Sequence, residues 1–235
     1  MNQTINQTQV QSGAKLNFFA RTLLWFGLGL IITFAITFGL PALLSLGLSW
    51  DQFETALYVM CGIGAVGVLI FSLVVMFKSF SARGLGIVTY ILYTIFMGMA
   101  LTPLYILGAD PVGMLAIVYA LGITGGIFVI MGFIGVLSGG RIKGMWLLAM
   151  GLAVGSIILT LINFFVFNET IYWIISFAML FVFVLYVGID FAIISRHPEN
   201  ASNSLAILCA FNLYTDFIVI FIRLLPFVLK GLSKR

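Results

Sequence analysis

Two carboxylates stand out because of where they sit. Asp216 lies near the middle of the last long apolar run, SLAILCAFNLYTDFIVIFIRLLPFVL, and Asp190 lies near the end of the run before it, FAMLFVFVLYVGIDFAII. A carboxylate at the centre of a bilayer costs about 2.5–3.5 kcal/mol on insertion scales, so such a group faces protein or water and commonly has a function. Two carboxylates in contact cannot both ionise cheaply, so a pair of this kind shares a proton and responds to pH. Asn212 and Arg223 fall on the same helical face as Asp216. Arg223 is about 10 Å from it along a helix axis, too far for a tight ion pair but near enough to bias its titration. Tyr186 and Tyr214 are further candidate oxygen donors beside the two aspartates.

The elements that position these residues are membrane helices. The chain is 63% hydrophobic and 8% charged, against about 25% charged residues in soluble domains. Its apolar runs lack the strict alternation of barrel strands, and a helix satisfies its own backbone hydrogen bonds in lipid. Seven spans are expected near residues 22–48, 56–77, 85–107, 112–137, 145–167, 171–194 and 204–229, each about the length that crosses a bilayer. The fold class is therefore an all-α integral membrane protein, a seven-helix bundle over residues 20–232. A polar tail at 1–19, almost uncharged from Met1 to Ala14 and read as disordered, precedes it, and a basic end at 233–235 follows. The first span is too long for a signal-peptide core and is read as retained.

Loop charges alternate. Lys15 and Arg21 precede span one, Lys78 and Arg83 separate spans two and three, Arg141 and Lys143 separate four and five, and Arg196 follows six. Asp51, Glu54, Asp110 and Glu169 occupy the opposite loops. The positive-inside rule then puts the N-terminus in the cytoplasm, with the plasma membrane as the expected location. Lys230, Lys234 and Arg235 fall on the outer side if the last segment crosses fully; a re-entrant last segment is the alternative. The net charge of +4 is confined to loops and ends, so it does not indicate nucleic acid.

Other motifs read as structure. Gly62, Gly64 and Gly67 match a dinucleotide-binding fingerprint but lie within a membrane span, where the required strand and helix start are absent. Gly122 with Gly126, and Gly151 with Gly155, sit four apart, a spacing that lets helix backbones approach. His197, in the loop RHPEN beside Pro198, has no metal-ligand spacing around it and reads as a helix stop. Cys61 and Cys209 lie within apolar runs and read as buried small hydrophobes without a disulfide.

Three segments carry a family resemblance. LYTDFIVIFIRLL at 213–225 resembles the last-span signature of the transmembrane Bax inhibitor motif family, LY-x-DFI-x-x-F-x-x-LL. VLYVGIDFAII at 184–194 resembles its sixth-span segment, and TYILYTIFMGMALTPLY at 89–105 its third-span run ending in a Gly and then a Pro. The resemblance, to a bacterial-type member, implies a seven-helix bundle with the last helix central and a pH-sensitive calcium leak. It also implies that Asp190 and Asp216 are the proton-sharing pH sensor, and that a basic residue closing span two, Lys78 or else Arg83, locks the closed form. The chain departs from some relatives in having no carboxylate in span two and no acidic residue around 141–144.

The residue chemistry fits that implication. A shared proton clamps spans six and seven; its loss replaces a hydrogen bond with repulsion and opens a negative gap. Calcium prefers six to eight oxygens, so two carboxylates, even with Asn212, Tyr186 and Tyr214, would bind it weakly and let it pass. The expected partners are the lipid bilayer, calcium and protons, with no enzyme activity, no cofactor and no nucleic acid. A non-conducting scaffold for stress or cell-death proteins and a proton/cation exchanger are alternatives. An intramembrane aspartyl protease is a third. It would need Gly-x-Gly-Asp and a later Pro-Ala-Leu, whereas Asp190 sits in VGID and Pro41-Ala42-Leu43 precedes both aspartates.

Overall fold

The computed structural model describes residues 17–77, 85–138 and 143–233. Among these every regular element is a helix: α1 (Phe18–Phe34), running through a π-helical turn (Ala35–Gly39) into α2 (Leu40–Leu44), then α3 (Trp50–Phe77), α4 (Leu85–Ala100), α5 (Pro103–Ala109), α6 (Pro111–Leu137), α7 (Lys143–Val166), α8 (Glu169–Ile194) and α9 (Asn203–Leu232). Six continuous helical stretches are long and apolar enough to cross a membrane, and α4 with α5 makes a seventh if that bent pair is one span. The protein is an all-α membrane bundle.

Prolines account for both irregular spans. Pro103 cannot donate to the carbonyl of Met99, and the Thr102 hydroxyl donates to that carbonyl instead at 2.8 Å. The chain bends by 46° there, so the span expected as one run at 85–107 is two helices. The π turn falls just before Pro41, which leaves the Thr37 carbonyl without its regular partner and favours a wider turn. The first helix starts at Phe18, inside the stretch read as tail, because Phe18 is buried in the core; residues 1–16 lie outside the described residues, as do Lys78, Arg83, Arg141, Lys234 and Arg235.

α9 is the axis of the bundle. It packs against α1, α6 and α8, and more lightly against α4. Its core side is aromatic: Phe217 meets Phe26 and Phe128, Phe221 meets Phe34, and Tyr214 meets Tyr90 and Tyr93. Edge-to-face pairs of this sort add about 0.5–1.5 kcal/mol each beyond the area they bury. Buried hydroxyls fasten α1 to α4, Thr33 to the Thr94 carbonyl at 3.1 Å, Thr37 to Gly98 at 3.0 Å and Tyr90 to Trp25 at 2.8 Å. Around this axis α3 lies on α4 and α7 lies on α8. Neither covers the side of α9 between them.

The glycines that bring backbones together are not the pairs singled out by spacing. A methyl group added at Gly122, Gly126, Gly151 or Gly155 would meet nothing within 4 Å. One at Gly135 would strike the carbonyl of Gly188 and come within 3.0 Å of Phe191 and 3.1 Å of Ala192 nitrogen. Gly64 sits against the α4 backbone at Phe96, Met99 and Ala100, and Gly67 against the Phe96 ring. Two of the three fingerprint-like glycines of α3, Gly64 and Gly67, thus lie in the α3–α4 contact, whereas a methyl group at Gly62 would meet nothing within 4 Å.

Candidate functional site

α9 presents a stripe of incompletely buried positions: Leu208, Asn212, Thr215, Val219, Arg223 and Pro226 all escape full burial. The positions recur every three or four residues, so they form one face. Asp216 sits at its edge, turned toward α8 and 6% exposed, about 20 Å from the Asn203 end of a 30-residue helix. Its Oδ2 is buried and has no hydrogen-bond partner among the described residues. Leaving a buried carboxylate oxygen unpaired is expensive, so such a group needs a proton, an ion or water to complete it.

Asp190 approaches from α8. It lies one turn before that helix ends, is partly buried, and its charge acts on both Asp216 and the Cys209 thiol. Cys209 and Asp216 are seven apart and share a face of α9, the face that Asp190 neighbours. Gly188, two residues earlier, is where α8 meets the α6 backbone. The close α6–α8 approach therefore sets how far Asp190 reaches into the bundle. The loop joining α8 to α9 is held by Arg21 of α1, whose guanidinium donates to the carbonyls of Glu199 at 3.1 Å and Ala201 at 2.8 Å. The Ser202 hydroxyl caps α9 by accepting from Leu205 nitrogen.

The other residues expected near the aspartates divide. Asn212 lies on the stripe but is exposed rather than turned into the bundle. Arg223 is part-buried and donates to the Ser176 hydroxyl of α8 at 3.4 Å. Tyr214 is not available as a calcium ligand: it is fully buried on the opposite side of α9, paired with Thr33. The single proton of the Thr33 hydroxyl goes to the Thr94 carbonyl, so Tyr214 is the donor in that pair. Tyr186 leans away as well, toward Met150 of α7 at 3.9 Å. Sequence reasoning missed Ser176 and a polar trio in which the Tyr93 hydroxyl of α4 faces Thr215 of α9 and Ser72 of α3. Thr215 sits next to Asp216 and could have been flagged; Ser72 and Ser176 are lone hydroxyls in apolar runs, with no pattern to mark them.

At the Leu232 end, a cavity of about 770 Å³ opens among Asp110, Val112, Trp173, Pro226 and Lys230. Lys230 reaches Glu169 at 3.8 Å and lies over the Trp173 ring at 4.3 Å. The chain matches a family described as Bax1-I, inhibitor of apoptosis-promoting Bax1, over residues 15–233. A search of curated proteins finds no match.

Proposed function

The chain belongs to the Bax1-I family, a Bax-inhibitor-like membrane protein, and from that premise we propose that it is a pH-sensitive calcium leak, not an enzyme. One observation carries the reading: the central helix holds a buried carboxylate with an unpartnered oxygen, Asp216 Oδ2, facing Asp190 of the neighbouring helix. A membrane protein has little structural reason to keep such a group, because an Asn or a hydrophobic residue would cost less at that depth. The pair can exchange a proton. At low pH one carboxyl keeps its proton and the two groups sit together; as pH rises the second proton leaves, and two like charges in a confined site repel. Flux therefore increases with pH. The opened gap is negative and oxygen-lined, so it attracts divalent cations. Two carboxylates offer calcium few of the six to eight oxygens it prefers, which suits transit rather than tight binding. Protons and the bilayer are the other partners, and the plasma membrane with a cytoplasmic N-terminus is the setting.

The test is calcium uptake into proteoliposomes between pH 6 and pH 8, for the wild type and for Asp216→Asn. Uptake rising with pH in the wild type, and a flat profile in the variant, is the expected result. A variant that keeps the full pH dependence would remove the aspartate from the gate. No uptake above empty vesicles in either protein would end the leak reading in favour of a non-conducting scaffold.

A further inference from the structure

Arg223 is unexplained by the aspartate pair. It lies seven residues from Asp216 on the open stripe of α9, on the side toward the Leu232 end. Its guanidinium meets a neutral hydroxyl, Ser176, which is only 3% exposed, and among the described residues it has no carboxylate partner. A single hydroxyl does not neutralise a guanidinium, so a part-buried cation at this depth requires water. The structure supplies a place for it. Pro226, one turn further along the same face, lines the 770 Å³ cavity together with Asp110 and Lys230. Pro226 also has no N–H to offer the carbonyl of Ile222, which leaves that oxygen free to bind water. A cavity with these polar groups is wet.

We propose that Arg223, one turn before the cavity-lining Pro226 on α9, is a fixed positive charge between this cavity and the aspartates, disfavouring divalent over monovalent cations. The role rests on the leak reading; the charge and its water access do not. A unit charge about 5 Å from a passing ion in water-like surroundings lowers a monovalent cation's occupancy about fourfold and a divalent cation's about sixteenfold, because the Boltzmann factor squares. Arg223→Gln should therefore raise calcium uptake more than potassium uptake, with the calcium-to-potassium ratio rising about fourfold, whereas Arg223→Lys stays close to wild type. An unchanged ratio in Arg223→Gln, or a Lys variant that behaves like Gln, would reduce Arg223 to a packing residue.

A second measurement does not depend on conduction. Val219→Cys, in a chain with Cys61 and Cys209 changed to Ala, places a thiol between Asp216 and Arg223. A membrane-impermeant, negatively charged methanethiosulfonate should label it several-fold faster than a positively charged one, and Arg223→Gln should bring the two rates together. Equal rates with Arg223 present, or no labelling by either reagent, would overturn the proposal. If no protein conducts yet the rates differ as expected, the leak reading fails and the fixed charge stands.

Discussion

Gly135 offers the sharpest check on how the bundle positions Asp190. A methyl group there would strike the Gly188 carbonyl, with Phe191 Cβ at 3.0 Å and Ala192 nitrogen at 3.1 Å. Two of these neighbours are backbone atoms, which cannot rotate away, so Gly135→Ala must push α8 off α6. Overpacking of this kind costs about 1–3 kcal/mol, and a backbone obstacle takes the upper end of that range. Replacing Gly by Ala within a helix returns about 1 kcal/mol. The net expectation is a loss of about 2 kcal/mol, or about 4–8 °C in melting temperature for a chain of this size. Gly122→Ala and Gly126→Ala are the internal controls. A methyl group at either meets nothing within 4 Å, so only the helix-propensity gain remains and the melting temperature should hold or rise by about 2–4 °C. The assay is thermal unfolding of the detergent-solubilised protein, followed by the loss of its monodisperse size-exclusion peak. Shifts of the same sign at Gly135 and Gly122 would refute the assignment of close and open glycine contacts. Because Gly188 is two residues from Asp190, Gly135→Ala should also alter calcium uptake at fixed pH, while the Gly122 and Gly126 variants leave it alone.

Two further outcomes test the polar fastenings. Thr33→Val strands the buried Tyr214 hydroxyl, at about 1–3 kcal/mol, whereas Tyr214→Phe removes the donor itself and should cost only about 1 kcal/mol; melting temperatures in the reverse order would show that Tyr214 finds another acceptor. Arg21→Gln removes the hydrogen bonds to Glu199 and Ala201, so amide exchange across 195–202 should quicken while that of α9 stays unchanged, and an unaltered loop would show that Arg21 does not hold it.

Much of the arrangement is legible in the sequence because membrane burial makes each polar residue conspicuous. Asp190 and Asp216 stand out against apolar runs, and the span count follows from run length. What is hidden is which way each helix turns. In a bilayer both the lipid-facing and the core-facing sides are apolar, so α6 and α7 carry little amphipathic signal. Spacing showed that Gly122 and Gly126 share a face, yet that face is open, while Gly135 and Gly188 make the contact. The α4–α5 break is hidden for a different reason. Pro103 is visible in the sequence, but the Met99 carbonyl it leaves is taken by Thr102, through both its hydroxyl and its backbone N–H, a local exchange that run length cannot reveal. Asn212 shares the helical face read for it with Asp216 and is exposed on that face, which run length and spacing alone do not decide. The face is partly uncovered, since α3 and α7 do not close over it.

The two sides of α9 are held so differently that they restrict what a gate between α8 and α9 can do. Its back is fixed to α1, α4 and α6 by edge-to-face aromatics and by the Thr33–Tyr214 pair. Its attachments to α8 cluster at the Leu232 end: Arg223 with Ser176, Phe227 with Trp173 and Phe177, and Lys230 with Glu169. Toward the Asn203 end, Asp216 faces Asp190, and its buried oxygen has no hydrogen-bond partner among the described residues. Repulsion between the two carboxylates would therefore act toward the end where Arg21 of α1 holds the α8–α9 loop, while the Leu232 end stays joined by its polar and aromatic contacts. The easiest response is for α8 to tilt away around its Ser176–Trp173 attachments, with α9 stationary. Such a tilt loads the Gly135–Gly188 contact directly, because that contact ties α8 to α6 within two residues of Asp190. On this reading the α6–α8 glycine contact, together with Phe191 against Phe19 and Phe128, resists opening, and loosening it should lower the pH at which flux begins.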